Sequence, residues 1–328
     1  MTGGKGEKAP EKNVGPKRRS KLGVAAAVVS AVLGGAFLLW LYLGTVSLVV
    51  REERVNLPHL DPADDGLRVA LLSDPHFAAG DAGRAAEIAA KLNAMEPAVI
   101  LLLGDFINGD PDPRRSLPPP ELTRFVRSLR APGGVFAVTG NHELWYDRGK
   151  VIDALRAGGA RVLVNETAVT CTPSGRPLAI HGLPDYTTEP RPRLLSVRQF
   201  PRDTPLLVMM HDPNSARFLP PATGFGLAGH THGGQFRLSP GGGAKSSLRL
   251  FVQRTKDRLG MIPAYLHPVI LFDRGLTDYR GRKLFITSGA GGNRVKVRTF
   301  CPPEVVLLKF YADDTAAARR HFTIPEEL

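Results

Sequence analysis

The sequence predicts an α/β fold with a largely buried sheet, and three observations support this. Short apolar runs alternate along the chain with stretches of helical periodicity, as strands and helices do in α/β proteins. The 328 residues suffice for one large domain. Hydrophobic residues make up 43% of the chain and charged residues 23%, so neither wholesale disorder nor a polytopic membrane protein is expected. Two cysteines cannot form a disulfide framework or a cysteine-based zinc site.

The N-terminal part has its own character. Residues 1–21 carry seven basic and two acidic side chains, so +5 of the formal net charge of +12 lies there, and we interpret them as a basic disordered tail. Residues 22–50 contain no charged residue over 29 positions, more than the roughly 20 that cross a bilayer as a helix. We expect an uncleaved transmembrane anchor, with a signal sequence and a buried core helix as the alternatives.

Charge also predicts the orientation of this anchor. Basic residues before a single apolar helix favour a cytoplasmic N-terminus. The sequence therefore predicts a single-pass protein of the cell inner membrane, with the rest of the chain periplasmic or otherwise extracytoplasmic. The expected order after the anchor is a linker at 51–66, a folded domain at 67–312 with a basic insertion at about 239–280, and a polar tail at 313–328.

Strands and helices are predicted in alternation from residue 67 onwards. Buried strands are expected at five apolar runs, Leu67–Leu72, Val99–Leu103, Val135–Val138, Leu206–Met210 and Phe225–Ala228. Apolar residues recur at helical spacing over Ala82–Met95, Glu121–Leu129 and Lys150–Ala157. Further short strands suggest a second sheet, at Arg161–Val164, Ala168–Thr172, Leu178–His181, Lys283–Thr287 and Glu304–Phe310.

Polar residues follow each of the five apolar runs directly. They are Asp74 and His76, then Asp105, then Asn141 and His142, then His211, and lastly His230 and His232. The carboxyl ends of parallel strands meet at one edge of a sheet, so these side chains are expected to converge. Carboxylate, amide and imidazole ligands without thiolates suit Mn²⁺, Fe or Zn²⁺. The sequence therefore predicts a metal site.

These motifs resemble those of the calcineurin-like metallophosphoesterase superfamily. The likeness runs from about Leu67 to Leu308 and rests on Asp74-x-His76, Gly104-Asp105, Gly140-Asn141-His142-Glu143, His211 and Gly229-His230-x-His232. The segments from Gly229 to Gln235 and from Arg298 to Glu304 are similar to a bacterial branch of membrane-anchored phosphodiesterases. The resemblance implies a four-layer α/β/β/α sandwich, in which two mixed β-sheets are flanked by helices.

The resemblance also implies roles for individual residues. Two divalent metal ions would be held, the first by Asp74, His76 and His232 and the second by Asn141, His211 and His230, with Asp105 bridging both. His142 would be the catalytic residue that protonates the leaving group, because imidazole changes its protonation state near neutral pH. The alternative for His142 is a residue that orients Asp105. Glu143 is expected to be structural.

The expected function is that of a membrane-anchored dinuclear phosphoesterase. It would hydrolyse phosphodiester or pyrophosphate bonds by a metal-activated hydroxide. Relatives include phosphodiesterases and enzymes that hydrolyse UDP-2,3-diacylglucosamine in lipid A synthesis, so lipid-linked or nucleotide-linked substrates are implied. The Asp-Arg-Gly of protein phosphatases is missing after Gly104-Asp105, which argues against that activity.

Two other functions stay open on the sequence. The chain could be a nuclease or nucleic-acid-binding protein that uses its basic surface, or a phosphomonoesterase. The basic residues of the domain are scattered and no nucleic-acid module is recognised, so no nucleic-acid partner is expected. We expect a monomer.

Overall fold

The computed structural model describes residues 21–110, 112–185, 203–221, 223–237, 239, 274–292 and 297–313. The chain forms two compact units, Met1–Tyr42 and Leu43–Leu328. Most of the predicted basic tail, most of the basic insertion and nearly all of the polar tail lie outside the described residues.

The helices and strands alternate through most of the second unit. The helices are α1 (Lys21–Val46), α2 (Ala82–Ala94), α3 (Pro119–Arg127), α4 (Asn141–Tyr146) and α5 (Arg148–Ala157). The strands are β1 (Val49–Asn56), β2 (Leu67–Leu72), β3 (Val99–Leu102), β4 (Val135–Ala137), β5 (Arg161–Val162), β6 (Glu166–Cys171), β7 (Pro177–Gly182), β8 (Leu206–Met209), β9 (Phe225–Ala228), β10 (Gly275–Tyr279), β11 (Arg282–Ile286) and β12 (Glu304–Tyr311).

The strands form two six-stranded mixed sheets. The first has the order β1-β12-β2-β3-β4-β5, and the second has the order β10-β11-β9-β8-β7-β6. Strands β2 to β5 are parallel in the first sheet, and β7, β8, β9 and β11 are parallel in the second. Two mixed sheets flanked by helices are the predicted fold, which is confirmed.

Apolar burial explains the layers. Side chains from both sheets share one buried cluster, including Val69 and Leu101 of the first sheet and Ile180 and Leu227 of the second. The opposite face of the first sheet packs on α2, α3 and α5, and Ile88 of α2 is fully buried there. Burial of a large aliphatic side chain contributes about 1.5–3 kcal/mol, so these continuous apolar strands stabilise the sandwich.

The structure differs from the expected linker at residues 51–66. Helix α1 ends at Val46, and β1 already begins at Val49 and pairs with β12 in parallel along its whole length. The segment resembles a linker because it contains Pro58, Pro62 and Gly66 together with three aspartates, and because the four residues 51–54 are all charged. A strand at the edge of a sheet tolerates charges on its outer face, and here Glu52 pairs with Lys309 of β12.

Sheet membership also differs from the prediction. Strands β5 and β12, expected in the second sheet, belong to the first, whereas β8 and β9 belong to the second. The end of the expected insertion is strand β10, which pairs with β11 in antiparallel register. Hydrophobic pattern identifies a strand, but pairing depends on long-range packing that single runs do not encode.

Candidate active site

Each sheet delivers part of one polar cluster from the carboxyl ends of its parallel strands. In the first sheet, Asp74 and His76 follow β2, Asp105 follows β3, and Asn141 and His142 begin α4 directly after β4. In the second sheet, His211 follows β8, and His230 and His232 follow β9. All of the predicted site residues therefore lie at the same end of the sandwich, and all but His230 are buried.

Asp74, His76 and His232 form the first group. The two Nε2 atoms of His76 and His232 are 3.1 Å apart. Asp74 Oδ1 lies 3.8 Å from the Nε2 of His76 and 3.6 Å from that of His232. The other carboxylate oxygen, Oδ2, accepts hydrogen bonds from the Ser73 hydroxyl and from the backbone N–H of His230. The second oxygen thus fixes the carboxylate while Oδ1 points into the group.

Asp105, His211 and His230 form the second group. The Nδ1–H of His211 donates to the carbonyl of Leu103 at 2.8 Å, so the neutral ring carries its lone pair on Nε2. That Nε2 lies 3.1 Å from Nδ1 of His230 and 3.2 Å from Oδ2 of Asp105. Asp105 Oδ2 is also 3.6 Å from Nε2 of His76 in the first group. The Asp105 carboxylate therefore lies between the two groups.

The donor atoms of the two groups are suited to divalent metal ions. Asp74 Oδ1 and Asn141 Oδ1 are buried and, among the described residues, have no hydrogen-bond partner. Unpaired buried oxygens are costly unless a ligand satisfies them. Together with imidazole nitrogens, they make an oxygen and nitrogen donor set suited to Mn²⁺, Fe or Zn²⁺. Ligand atoms of each group lie within 4.8 Å of one another.

The backbone is strained at these positions. Five of the predicted ligands have left-handed φ angles: Asp74 (51°), His76 (46°), Asp105 (53°), His230 (66°) and His232 (51°). Such angles are uncommon for residues other than glycine and cluster at active sites and ligand clamps. The left-handed backbone conformation directs these side chains into the site immediately after each strand.

Glycine at position 140 permits the close approach of the two sheets' ligands. A Cβ atom there would lie 2.3 Å from Oδ1 of Asp105 and 2.7 Å from Nε2 of His211. Any side chain would therefore displace a ligand from each sheet. The Gly140-Asn141 pair thus explains why β4 can end directly in the site.

Glu143 joins the loops after β3 and β4. Its buried carboxylate accepts hydrogen bonds from the backbone N–H groups of Asp105, Phe106 and Gly140, at 2.9, 2.7 and 2.7 Å. Burial, and then repulsion from Asp105, raise the pKa of Glu143 to about 7. Glu143 therefore holds the Asp105 loop against the start of α4, in agreement with the structural role expected for it.

His142 lies beside both groups with a fixed ring. Its Nδ1–H donates to the Asn108 carbonyl at 2.7 Å, which leaves Nε2 facing the site, 3.8 Å from Oδ2 of Asp105. Its backbone N–H donates to Oδ1 of Asp105. The ring stands between His76 and Trp145, with centroid separations of 4.3 and 4.4 Å. Both interpretations of His142, proton donor and holder of Asp105, are compatible with this geometry.

Electrostatics keep part of the cluster neutral. Burial lowers the pKa of His76 to about 3, and burial together with the nearby Arg298 guanidinium holds the pKa of His232 well below its usual value. Burial also disfavours charge on His211, but the Asp105 carboxylate outweighs it and raises the pKa of His211 well above its usual value. Neutral imidazole is the form that binds a metal, so the first group is in that form at neutral pH.

Two contributors were not predicted from the sequence. Arg298 is buried and donates to the backbone carbonyls of Ser288, Gly291 and Cys301, while its Nη2 lies 3.4 Å from Nδ1 of His232. Trp145 contacts His142 and is 52% exposed. Arg298 begins the segment to Glu304 that resembles the bacterial branch, and Trp145 is three residues after His142. Their proximity to these motifs is the sequence signal that could have indicated a role in the site.

Comparison with known proteins identifies the family. Residues 67–234 match the calcineurin-like phosphoesterase family, which is just over half of the chain. An uncharacterised metallophosphoesterase of Campylobacter jejuni, Cj0846, is 26% identical over 79% of this chain and 62% of its own length. The chain spans 45% and 62% of the first two curated relatives that it matches.

Two further relatives carry functional names. The phosphodiesterase YaeI of Escherichia coli is 27% identical over 65% of this chain and 70% of its own length. The UDP-2,3-diacylglucosamine pyrophosphatase LpxG of Chlamydia trachomatis is 23% identical over 88% of this chain and 97% of its own length. The chain also resembles a solved structure, the phosphopantetheinyl hydrolase of Mycobacterium tuberculosis, with 13% identity and a TM-score of 0.38 over 77% of this chain and 99% of the hydrolase.

The family match and the convergent Asp and His groups lead to one conclusion. The chain belongs to the calcineurin-like phosphoesterase family, and its buried Asp and His groups could hold divalent metal ions.

Proposed function

We propose that this enzyme hydrolyses phosphodiester or pyrophosphate bonds of lipid-linked or nucleotide-linked substrates while anchored in the cell inner membrane. The observation that carries the dinuclear part is the position of Asp105, whose Oδ2 is 3.2 Å from Nε2 of His211 and 3.6 Å from Nε2 of His76. One carboxylate within reach of both histidine groups supports a bridging role. The names of YaeI and LpxG, a phosphodiesterase and a pyrophosphatase, support the bond type.

In this proposal the two groups hold one ion each. Asp74, His76 and His232 bind the first, Asn141, His211 and His230 bind the second, and Asp105 binds both. When bound, the two ions supply a nucleophile from water at neutral pH and neutralise charge on the phosphoryl oxygens. Ser73 and Leu103 orient the ligands Asp74 and His211 through the hydrogen bonds described above.

His142 is the proposed general acid. Its Nδ1–H stays bonded to the Asn108 carbonyl, so the proton that it gives to the leaving oxygen is held on Nε2, the atom that faces the site. The ring therefore keeps its orientation in both protonation states. The side chain of Asn108 bonds to Arg115, Ser116 and Asp110 within its own loop, which supports a structural role for it.

The anchoring part of the proposal rests on α1. It is long and apolar enough to cross a bilayer, and the basic residues before it favour an extracytoplasmic catalytic domain. Its last residues also bond to the folded domain, since the Thr45 hydroxyl accepts from the N–H of Arg298 and the Val46 carbonyl accepts from Arg84. A helix end that contributes to the domain supports retention of the segment rather than its removal as a signal sequence.

Metal analysis combined with a substrate panel tests the chemistry. The full-length protein in detergent is expected to contain two divalent ions per chain and to hydrolyse aryl phosphodiesters and nucleotide-diphosphate lipids faster than aryl monoesters. Preference for monoesters would favour the phosphomonoesterase alternative. Nicking of supercoiled plasmid at a rate comparable with that on the diesters would favour the nuclease alternative.

Reporter fusions test the orientation. Alkaline phosphatase fused to the C-terminus should be active, and a fluorescent protein that folds only in the cytosol should be dark. The reverse pattern would place the catalytic domain in the cytoplasm and refute that part of the proposal.

A further inference from the structure

We infer that four exposed apolar side chains beside the metal site form a rim that inserts into the interface of a lipid bilayer. This apolar rim consists of Leu144, Trp145, Val297 and Phe300. The inference rests on the proposed function and adds to it how a lipid-linked phosphate would reach the metals, namely directly from the bilayer surface.

The distribution of exposed apolar side chains is the first observation. Beyond residue 50, the described residues include five large apolar side chains that are at least 36% exposed, and four of them make up the rim. The fifth, Val169, is on edge strand β6, which carries no predicted site residue. Exposed apolar groups concentrated at one place on a protein mark an interaction surface, whereas scattered ones need no explanation.

A series of ring contacts connects the Trp145 side of the rim to the metal groups. The ring of Trp145 lies 4.4 Å from that of His142, which lies 4.3 Å from that of His76. Trp145 and Leu144 are 52% and 51% exposed, although they are on a six-residue helix whose first three residues are buried. Helix α4 thus buries Asn141, His142 and Glu143 and exposes Leu144 and Trp145, whereas surface helices of soluble proteins usually expose their polar residues.

Phe300 lies in a loop that contacts His232 of the first group, because Nη2 of Arg298 is 3.4 Å from Nδ1 of His232 and the Cys301 thiol donates to the His232 carbonyl. The φ angle of Phe300 is 51°, a strained conformation for a bulky residue, and it is 39% exposed. The flanking residues are fixed: the Thr299 N–H donates to the Gln235 carbonyl, and the Arg298 guanidinium donates to four backbone carbonyls. Exposure of Phe300 is therefore a built feature of this loop and not a consequence of looseness.

The position of the end of α1 indicates that the partner of the apolar rim is the lipid bilayer. The N–H of Arg298, two residues before Phe300, donates to the Thr45 hydroxyl at 3.0 Å. Arg84 bonds both to the Val46 carbonyl and to the Ala290 carbonyl, and the N–H of Ala290 in turn donates to the carbonyl of Ser73. The last residues of the apolar helix thus adjoin the loops that carry Phe300 and border Asp74. Tryptophan, phenylalanine and leucine are residues that bind at membrane interfaces.

Tryptophan fluorescence tests the rim without depending on turnover. The chain contains two tryptophans, Trp40 in α1 and Trp145 in the rim. Trp40→Phe leaves Trp145 as the reporter, and Trp145→Phe leaves Trp40 as the matched control for the anchor. Each full-length protein is reconstituted in vesicles of dioleoylphosphatidylcholine and dioleoylphosphatidylglycerol, with and without phosphatidylcholine brominated near the headgroup end of its acyl chains.

We expect brominated lipid to quench both proteins, Trp145 because of the rim and Trp40 because of the anchor. Emission from Trp145 is expected to fall about twofold or more, because an interfacial apolar face lies roughly 5–10 Å into the headgroup and acyl boundary. Quenching of Trp40 without quenching of Trp145 would overturn the rim but leave the anchor intact. Absence of quenching at Trp40 would refute the anchor and the rim together. Shielding of Trp145 from both brominated lipid and aqueous acrylamide would show that protein covers it, which also overturns the inference.

A pair of substrates with the same scissile bond tests the consequence for catalysis. p-Nitrophenyl hexadecyl phosphate in vesicles is compared with p-nitrophenyl methyl phosphate in solution. The double variant Leu144→Ser and Phe300→Ser should lower the ratio of kcat/KM for the long-chain over the short-chain diester by about tenfold, the size expected when large apolar contacts are lost. Val169→Ser is the control and should leave the ratio unchanged. An equal loss on both diesters would contradict the rim.

Discussion

The two ends of the sheet sandwich have opposite characters. At the carboxyl ends of the parallel strands, seven predicted ligands are packed together, and five of them have left-handed backbone angles. At the amino ends lies a cavity of about 1030 Å³, lined by residues that precede β2, β3 and β4 and by the end of β6, among them Asp64, Arg68, Gly133 and Thr172. None of the residues lining that cavity is a predicted ligand.

The two ends differ in whether their buried polar groups have hydrogen-bond partners, and this difference marks the reactive end. The cavity at the amino end is roomy, but its buried carboxylate, Asp64, is satisfied by Thr172 and Ser174. Its left-handed residue, Glu96, follows directly on the end of α2, where such a conformation is ordinary. At the carboxyl end, strain and unpaired oxygens coincide with converging imidazoles. A large volume therefore does not by itself mark a site, whereas unsatisfied donors and acceptors do.

The largest effect is expected at Asp105. Asp105→Asn removes the charge that serves both groups, so metal content should fall to one ion or none and turnover should fall by at least about 10³, since metal catalysis is worth several kcal/mol. Inductively coupled plasma analysis and diester assays measure these changes. Asp153→Asn, on the exposed face of α5, is the matched control. Two tightly bound ions and a wild-type rate in Asp105→Asn would remove the basis for a bridging role.

A smaller loss is expected at His142. His142→Ala should retain both ions and lose about 10²–10⁴ in kcat, the usual contribution of a general acid. The loss should be greatest for diesters with poor leaving groups, because nitrophenolate needs little protonation. Steady-state kinetics across a series of leaving groups, with metal analysis on the same samples, measures both. Uniform loss across the series would support the alternative, in which His142 acts only by holding Asp105.

Glu143 should connect the site to stability. Glu143→Gln places an amide N–H against backbone donors, so the free energy of unfolding should fall by about 1–3 kcal/mol and the Asp105 loop should lose its fixed position. We expect about a tenfold lower kcat/KM from misplacement of the ligand. Urea denaturation and diester kinetics test this, with the exposed Glu166→Gln as control. Unchanged stability would show that the three hydrogen bonds to Glu143 contribute little.

The smallest effect belongs to the amino end. Asp64→Asn should lower the free energy of unfolding by about 1 kcal/mol at pH 7 and leave turnover unchanged, because among the described residues the Asp64 carboxylate accepts hydrogen bonds from Thr172 and Ser174 and from no predicted ligand. Burial opposes the charged form, but bonds from Ser174 and Thr172 prevail and lower the pKa of Asp64 below 3.8. The stabilisation is therefore present above pH 3.8 and lost as pH falls through the folded pKa. Denaturation curves at pH 7 and at acid pH should show the difference between variant and wild type shrinking.

Much of the fold could be predicted from the sequence because buried parallel strands are continuous apolar runs. The runs that precede Asp74, Asp105 and Asn141 were predicted to within a residue or two of β2, β3 and β4. The convergence of the polar residues followed from the geometry of a parallel sheet. Strand β1 was missed because an edge strand needs little buried surface, so its charges concealed it.

Other features depend on three-dimensional contacts that no local pattern encodes. The left-handed angles occur at Asp and His, where sequence gives no signal as glycine would. The burial of Arg298 depends on the backbone carbonyls of Ser288, Gly291 and Cys301, which surround its guanidinium. The assignment of metals and of His142 as the acid stays a prediction until the variants above are measured.

Strand β1 has a consequence for how the catalytic domain could be released from its helix. Two residues, Ser47 and Leu48, separate α1 from β1, and Leu48 is buried. A protease would find little accessible chain between the two, and a cut further on would remove one of the two strands that pair with β12. Strand β12, rich in valine and leucine, would then present an open edge prone to pair with other chains. We therefore expect a chain that is cut within β1 to aggregate, so the pairing of β1 with β12 favours keeping α1 and the domain on one chain.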